Sequence, residues 1–307
     1  MKVASTTVLF CSFFATDSLT NPLIHPHNRN LIDPAHIPFA HHGLQGTRDD
    51  AVAINMTMPS TITQAGFDFT FEDRTMKMFR QGQASFRAPY TLVYSGVYPG
   101  NKGFFNLTTI NIPTKPGWSR AIIMTGGSHS RDADGNPLEK QKSLVAKIFS
   151  VIPTWLIHVL STRFLNSDLA FLHYQEQERE KRGGDSEDDV YFMPAPADRA
   201  IVAFRKWKSK YAHVPLPLPP PINTRAELFD HYTQHTSQCR HCSEALEGVK
   251  KNAVRTKGLL AVSVFLAATK FPILGSCLVA LCIGFLQLLK ITEAAFMTSD
   301  YKHYKND

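Results

Sequence analysis

What this sequence is short of narrows its class before any motif is read. Cysteine is scarce: Cys11, the Cys239 and Cys242 CxxC pair, and Cys277 and Cys282 are all there is. An odd number with no regular framework argues against a disulfide-built secreted domain. Basic residues outnumber acidic ones for a formal net charge of +7. They are scattered, and no stripe interleaves them with aromatics, so no nucleic-acid partner is expected. A solvated face, or attraction to an anionic membrane surface, accounts for them better. No internal repeat is present. With 43% hydrophobic and 19% charged residues the composition is globular, not disordered, and 307 residues can build one sizeable domain or two small ones.

Met1-Lys2 followed by the apolar Val3–Ala15 has the proportions of a signal h-region, so residues 1–29 read as a leader or a mis-joined start. Beyond a His-rich stretch, Gly66–Glu72, Ser85–Ser95, Phe104–Ile112 and Ser119–Thr125 are rich in aromatic and β-branched residues. Turn signals such as Pro99-Gly100-Asn101 and Pro116-Gly117 separate them, which predicts short antiparallel strands. Helical spacing follows over Lys140–Arg163, interrupted at Pro153, then over Ser167–Arg182 and Ala197–Tyr211. Strands followed by helices make the fold α+β. Pro215–Pro221 reads as a stiff extended linker. Near the end, Gly258–Thr269 and Phe271–Leu289 are uncharged, with Lys257, Lys270 and Lys290 at their edges. The second run can span a hydrocarbon core of ~30 Å and the first alone cannot. Together they predict a membrane hairpin, with a buried core hairpin as the alternative.

The sharpest local signal is Asn30-Leu31-Ile32-Asp33-Pro34-Ala35-His36-Ile37-Pro38-Phe39-Ala40-His41. Histidines five apart lie about 140° apart on a regular helix and do not share a face. Pro38 between them supplies a break that lets both rings converge. Two neutral imidazoles with one carboxylate form the facial triad of non-haem Fe(II) oxygenases, which leaves positions open for dioxygen. Asp33, about a turn before His36, is placed to accept a ring N–H and fix its tautomer. Histidine-rich loops without a metal are common, and the spacing alone leaves both readings open.

The whole segment, on to His42-Gly43, resembles the iron motif of Rieske-type oxygenases, N-L-x-D-x-x-H-x-x-x-x-H, in the branch of the pheophorbide a oxygenase family. Asn166-Ser167-Asp168 through Gln175-Glu176 is similar to the family segment with the third iron ligand, which makes Asp168 the matching carboxylate. Asp198 and Asp189 compete for that role. An acid in the first turn of a helix is also favoured by the dipole alone. Ala197-Asp198-Arg199 through Trp207 and His235-Thr236 ahead of Cys239-Arg240-His241-Cys242 look like the family too, as does the order of CxxC and paired membrane helices.

The resemblance implies a helix-grip-like antiparallel sheet with covering helices over 30–236, then a CxxC segment over 237–256, a membrane hairpin over 257–290 and a polar tail over 291–307. It implies a mononuclear Fe(II) on His36, His41 and Asp168, with Asp33 orienting His36 and relaying electrons. The expected reaction is dioxygen-dependent monooxygenation of a chlorophyll-type tetrapyrrole, such as pheophorbide or chlorophyllide, at a plastid membrane, in a possible homotrimer. Electrons would come from a Rieske or ferredoxin donor. The family places C-x-H and C-x-x-H, ligands of a [2Fe–2S] cluster, upstream of the iron motif. Here 29 residues with one cysteine precede Asn30, and the downstream CxxC does not supply that pattern. The cluster is therefore expected only from a missing domain or a partner chain. Cys239 and Cys242 themselves read as a redox dithiol or half of a zinc site, for which His231, His235 and His241 make an unconvincing complement. The rival reading of the chain is a membrane-anchored thiol-redox or translocon-associated module without oxygenase turnover.

Overall fold

Phe67, Phe69 and Phe71 alternate with polar residues, so their rings fall on one side of an extended chain, and all three are buried. This strand is the centre of the architecture in the computed structural model, which describes residues 8–15, 30–98, 104–115, 118–128, 151–181, 192–212, 224–269 and 271–300. Its strands are β1 (Val8–Ala15), β2 (Asn55–Thr57), β3 (Gly66–Thr75), β4 (Met78–Arg87), β5 (Thr91–Val97), β6 (Phe104–Lys115) and β7 (Trp118–Ser128). The helices are α1 (Ile37–Ala40), α2 (Thr154–Lys181), α3 (Arg199–Tyr211), α4 (Arg225–Leu228), α5 (Arg240–Ala268) and α6 (Pro272–Met297). The chain divides into two compact units: Met1–Val151 with Arg163–Leu228 and Tyr301–Asp307, and Ile152–Thr162 with Phe229–Asp300.

In the first unit the strands form one antiparallel sheet in the order β1-β7-β6-β5-β4-β3-β2. Val8–Ala15, read from the sequence as part of a leader, pairs with β7 at the sheet edge. The stretch Ser85–Ser95, read as one strand, is split: Ala88-Pro89 carries the chain from β4 into β5, because proline cannot continue a ladder. Met78–Ala84 and β2, which lack the expected β-branched richness, complete the sheet. Gly66 opens β3 at φ 127°, where an added Cβ would lie 1.9 Å from the Phe86 carbonyl oxygen. At the other end, β3 turns into β4 through Met76 and Lys77, both at positive φ, as in a primed two-residue hairpin turn. The Lys77 amide donates to Asp50 Oδ1 at 2.8 Å, which anchors that turn. Burial alone would raise the Asp50 carboxyl, but the Thr47 and Lys77 amides and Arg74 outweigh it and hold the group below its ordinary value.

The inward rings of β3, Phe86 and Tyr94 pack against Ala200, Ile201, Phe204 and Trp207 of α3. Ile32 is fully buried in the same core, and Tyr94 Oη donates to the Leu31 carbonyl at 2.5 Å. The segment bearing the histidine motif is thereby fastened to the sheet. This is the α+β class that the order of elements predicts.

One helical expectation changes. Lys140–Ser150, the linker Pro215–Pro221 and the loop at Asp189 lie outside the described residues. The break expected between Arg163 and Ser167 does not exist, since α2 runs unbroken from Thr154 to Lys181. No glycine or proline interrupts it, and Ser167, which reads as a helix start, returns its hydroxyl proton to the Phe164 carbonyl within the helix (2.6 Å).

In the second unit α5 and α6 pack against one another, and Gly275 is where they approach closest to a clash: a Cβ there would fall 2.2 Å from the Ala267 amide nitrogen. Phe296 packs on Trp155, Cys242 and Leu246 at the base of the pair. Higher up, Leu259, Phe265, Ile273, Leu281 and Ile291 are exposed. Among the described residues α6 alone is long and apolar enough to cross a membrane. Its 26 residues reach ~39 Å, against a hydrocarbon core of ~30 Å.

Two outcomes are expected. Asp73 and Arg80 form a buried bidentate pair, with Nε to Oδ1 at 2.8 Å, and Asp73→Ala leaves the guanidinium without its counter-charge. Denaturant unfolding of that variant should show a loss of about 3–5 kcal/mol. Carbonate extraction should leave the full chain in the membrane pellet. It should release a version in which Gly258–Leu289 is replaced by a short Gly/Ser loop, retaining Phe296. A full chain that washes off, with a loop variant that precipitates, would make the hairpin a water-soluble element.

Candidate metal centre

The motif segment folds through two unlike turns. Asp33 caps the 3₁₀ turn Pro34–His36 by accepting from the Ala35 amide at 2.8 Å, and the chain passes directly into the single α-turn of α1. Pro38 does not break this turn. It occupies the opening positions of α1, where no amide hydrogen is needed. The two histidines flank α1, His36 as its N-cap and His41 as its C-cap, and His41 has already left helical geometry at φ −101° and ψ 28°.

His36 Nε2 and His41 Nε2 stand 3.2 Å apart. Asp168 Oδ1 lies 3.7 Å from the first and 3.4 Å from the second. Three ligand atoms at ~2.1 Å from one ion would be about 3.0–3.4 Å apart, for angles between octahedral and tetrahedral, and two of the three edges fall in that range while the His36–Asp168 edge is longer. His41 is 1% and Asp168 2% exposed, so two corners of the triangle lie out of bulk water, while His36 is partly exposed.

The hydrogen bonds behind these atoms fix what faces inward. Ser167 Oγ gives its proton to Phe164, so towards His41 Nδ1, at 2.7 Å, it can only accept. His36 Nδ1 meets the Asp33 backbone carbonyl, also an acceptor only. Both rings therefore carry hydrogen on Nδ1 and turn Nε2 toward Asp168, the tautomer that a metal-binding neutral imidazole needs. Oδ1 of Asp168 is buried without a hydrogen-bond partner. These three groups could hold a cation between them, and two imidazoles with one carboxylate suit iron. Phe164 stacks on His41 at 3.8 Å between centroids and fixes the ring plane.

The structure thus brings His36, His41 and Asp168 together. Asp168 lies far beyond the first turn of α2, so the helix dipole does not account for its place. Asp198 accepts from the Ala195 amide and caps its own turn. Asp33 bears on His36 through its backbone carbonyl, its carboxylate being engaged with Ala35. Phe164 and the acceptor role of Ser167 are not legible in the sequence, because both depend on α2 being continuous. A cleft of about 530 Å³ lined by Met58, Ile62, Met193, Arg199 and Lys206 contains none of these residues.

Cys239 and Cys242 meet His158 and His235, not His231 or His241. As a free thiol, Cys242 would be pushed well up by burial and by Cys239 beside it, the opposite of what a redox dithiol requires.

Residues 86–186, which include Asp168, match the family described as pheophorbide a oxygenase. That stretch, about a third of the chain, is similar to the pheophorbide a oxygenase family. The chain's curated relatives include the chloroplastic pheophorbide a oxygenase of Arabidopsis thaliana, 27% identical over 83% of this chain and 50% of the relative. Flavonoid 8-hydroxylase 2 of Ocimum basilicum is 26% identical over 78% and 47%. Protochlorophyllide-dependent translocon component 52 of Arabidopsis thaliana is 26% identical over 70% and 44%. The chain spans about half the length of these relatives. Among solved structures, the Pseudomonas putida CBB5 NdmA QL mutant with theobromine aligns over 67% of this chain and 50% of that one at 13% identity, with a TM-score of 0.39. That likeness is too loose to bear on the site.

The purified chain should bind about one Fe(II), and His41→Ala should abolish it. His42, whose Nδ1 accepts from the Arg48 amide, is the control. Ser167→Ala should weaken iron binding by roughly 10–100-fold. Metal analysis checks all three, and an empty site in His42→Ala beside a full one in His41→Ala would overturn the ligand assignment.

Proposed function

We propose that this chain is the catalytic part of a non-haem iron monooxygenase that acts on a chlorophyll-type tetrapyrrole in the plastid. The observation that carries the reading is the largely buried triangle of two Nε2 nitrogens and one partnerless carboxylate oxygen. His36, His41 and Asp168 would hold one Fe(II), which supplies dioxygen activation at the positions those side chains leave open. The family match and a chloroplastic pheophorbide a oxygenase relative support a tetrapyrrole substrate and a plastid location. The flavonoid hydroxylase relative supports oxygenation as the shared chemistry.

The chain's own residues act by holding and excluding. Ser167 and the Asp33 carbonyl keep the two imidazoles in the tautomer that binds metal, and Phe164 prevents the His41 ring from turning. Burial of His41 and Asp168 shields the reacting position from bulk water. Asp33 is read as positioning His36 and as the relay for electrons arriving from a Rieske or ferredoxin donor. Apolar exposure along α6 supports attachment to a plastid membrane.

One Fe(II) cannot supply the electrons of repeated turnover. With a flavin reductase and pyridine nucleotide alone, the iron-loaded chain should show no sustained oxygen uptake coupled to an oxygenated tetrapyrrole. Adding a Rieske-type donor should establish turnover. Sustained coupled uptake without that donor would overturn the electron route, and oxygenation of a flavonoid but no tetrapyrrole would overturn the substrate class.

A further inference from the structure

The second unit contains a cluster of metal-ligating side chains that the oxygenase reading leaves unused. His158 comes from the start of α2, His235 from the π-turn Tyr232–Thr236, Cys239 from the N-cap of α5 and Cys242 from its first turn. His158 Nδ1 lies 3.2 Å from His235 Nε2, 3.3 Å from Cys239 Sγ and 3.5 Å from Cys242 Sγ. Cys242 Sγ is 3.3 Å from His235 Nε2. All four ligand atoms lie within 4.8 Å of one another, and three of the four residues are buried.

We propose that these four side chains hold one structural Zn²⁺. A hydrogen bond joins two atoms, and an imidazole nitrogen has one proton or one lone pair to offer. Nδ1 of His158 faces three partners at once, and Cys242 Sγ faces both histidines, so pairwise hydrogen bonds do not account for the arrangement. A central cation does. With Zn–N of ~2.0–2.1 Å and Zn–S of ~2.3 Å, tetrahedral angles put nitrogens about 3.4 Å apart and nitrogen about 3.6 Å from sulfur. The distances fall just inside those values.

The same spacing decides against other occupants. In a Rieske [2Fe–2S] cluster the two cysteines and two histidines stand on different irons. Here each pair interpenetrates the other, too closely for two irons and their bridging sulfides. A catalytic zinc keeps one coordination position open, whereas four protein ligands close this one. A redox dithiol needs a pair free to form a disulfide, and zinc holds both as thiolates. The ion would tie the start of α2 to the segment His235–Cys242, 77 positions further on, in a small unit whose base is otherwise held by the packing of Phe296 on Trp155, Cys242 and Leu246.

The test is metal analysis of the full chain produced with both iron and zinc supplied. Zinc is expected at about one per chain, falling to none in Cys242→Ser and His158→Ala and unchanged in His36→Ala and Cys277→Ser. Cobalt offered to the wild-type chain in place of zinc should give tetrahedral d–d bands and a thiolate-to-cobalt charge-transfer band, a reading that needs no variant to fold. Zinc that survives Cys242→Ser, zinc that vanishes with His36→Ala, cobalt without thiolate charge transfer, or a zinc-free chain that reversibly closes a Cys239–Cys242 disulfide would each overturn the proposal.

Discussion

A carboxylate oxygen shut away from water and faced by two imidazole nitrogens depends on positive charge placed among the three. Leaving such a group buried without that charge costs several kcal/mol, so the fold around Asp168 is built to keep the three atoms together. Much of the first unit serves to hold that opposition. Ser167 and the Asp33 carbonyl keep the protons on the far side of the rings. Tyr94 ties Leu31 to the sheet, and Ile32 is locked into the phenylalanine core. A loop free to relax would swing the imidazoles apart and let the carboxylate find water.

The motif from Asn30 to His41 was legible in the sequence because its information is local: a cap, two prolines and two histidines within one short stretch. The break that a proline suggests is not what brings the histidines together, since Pro38 starts a turn instead of ending one. The sheet was legible through its aromatic alternation, though Ser85–Ser95 hid a change of strand that only Ala88-Pro89 marked. Asp168 was legible as a residue, but not as one deep within a continuous helix. His158 was out of reach. It stands 81 positions before Cys239, and a single imidazole in an apolar helical run has no spacing that announces a partner so distant. Its one local sign is a polar ring among Leu156, Ile157 and Val159.

The relatives divide between names that specify pheophorbide, a flavonoid and a protochlorophyllide-dependent translocon. The proposed reading allows for that spread, because a three-residue metal site would leave the choice of substrate to other residues. Selection belongs to pocket walls, where one hydrogen-bonding group more or less can outweigh many apolar contacts.

The near-contact between Gly275 and Ala267 has a consequence for assembly. Inside lipid, apolar side chains gain nothing by leaving the acyl chains for each other, and helices adhere through close backbone approach at small residues. A larger residue at 275 would wedge the pair apart where a Cβ already has no room. The close seam between α5 and α6 lasts only while glycine keeps its place. A Gly275→Leu chain would keep its apolar length and lose that seam, because the new side chain has to occupy the space of the Ala267 backbone.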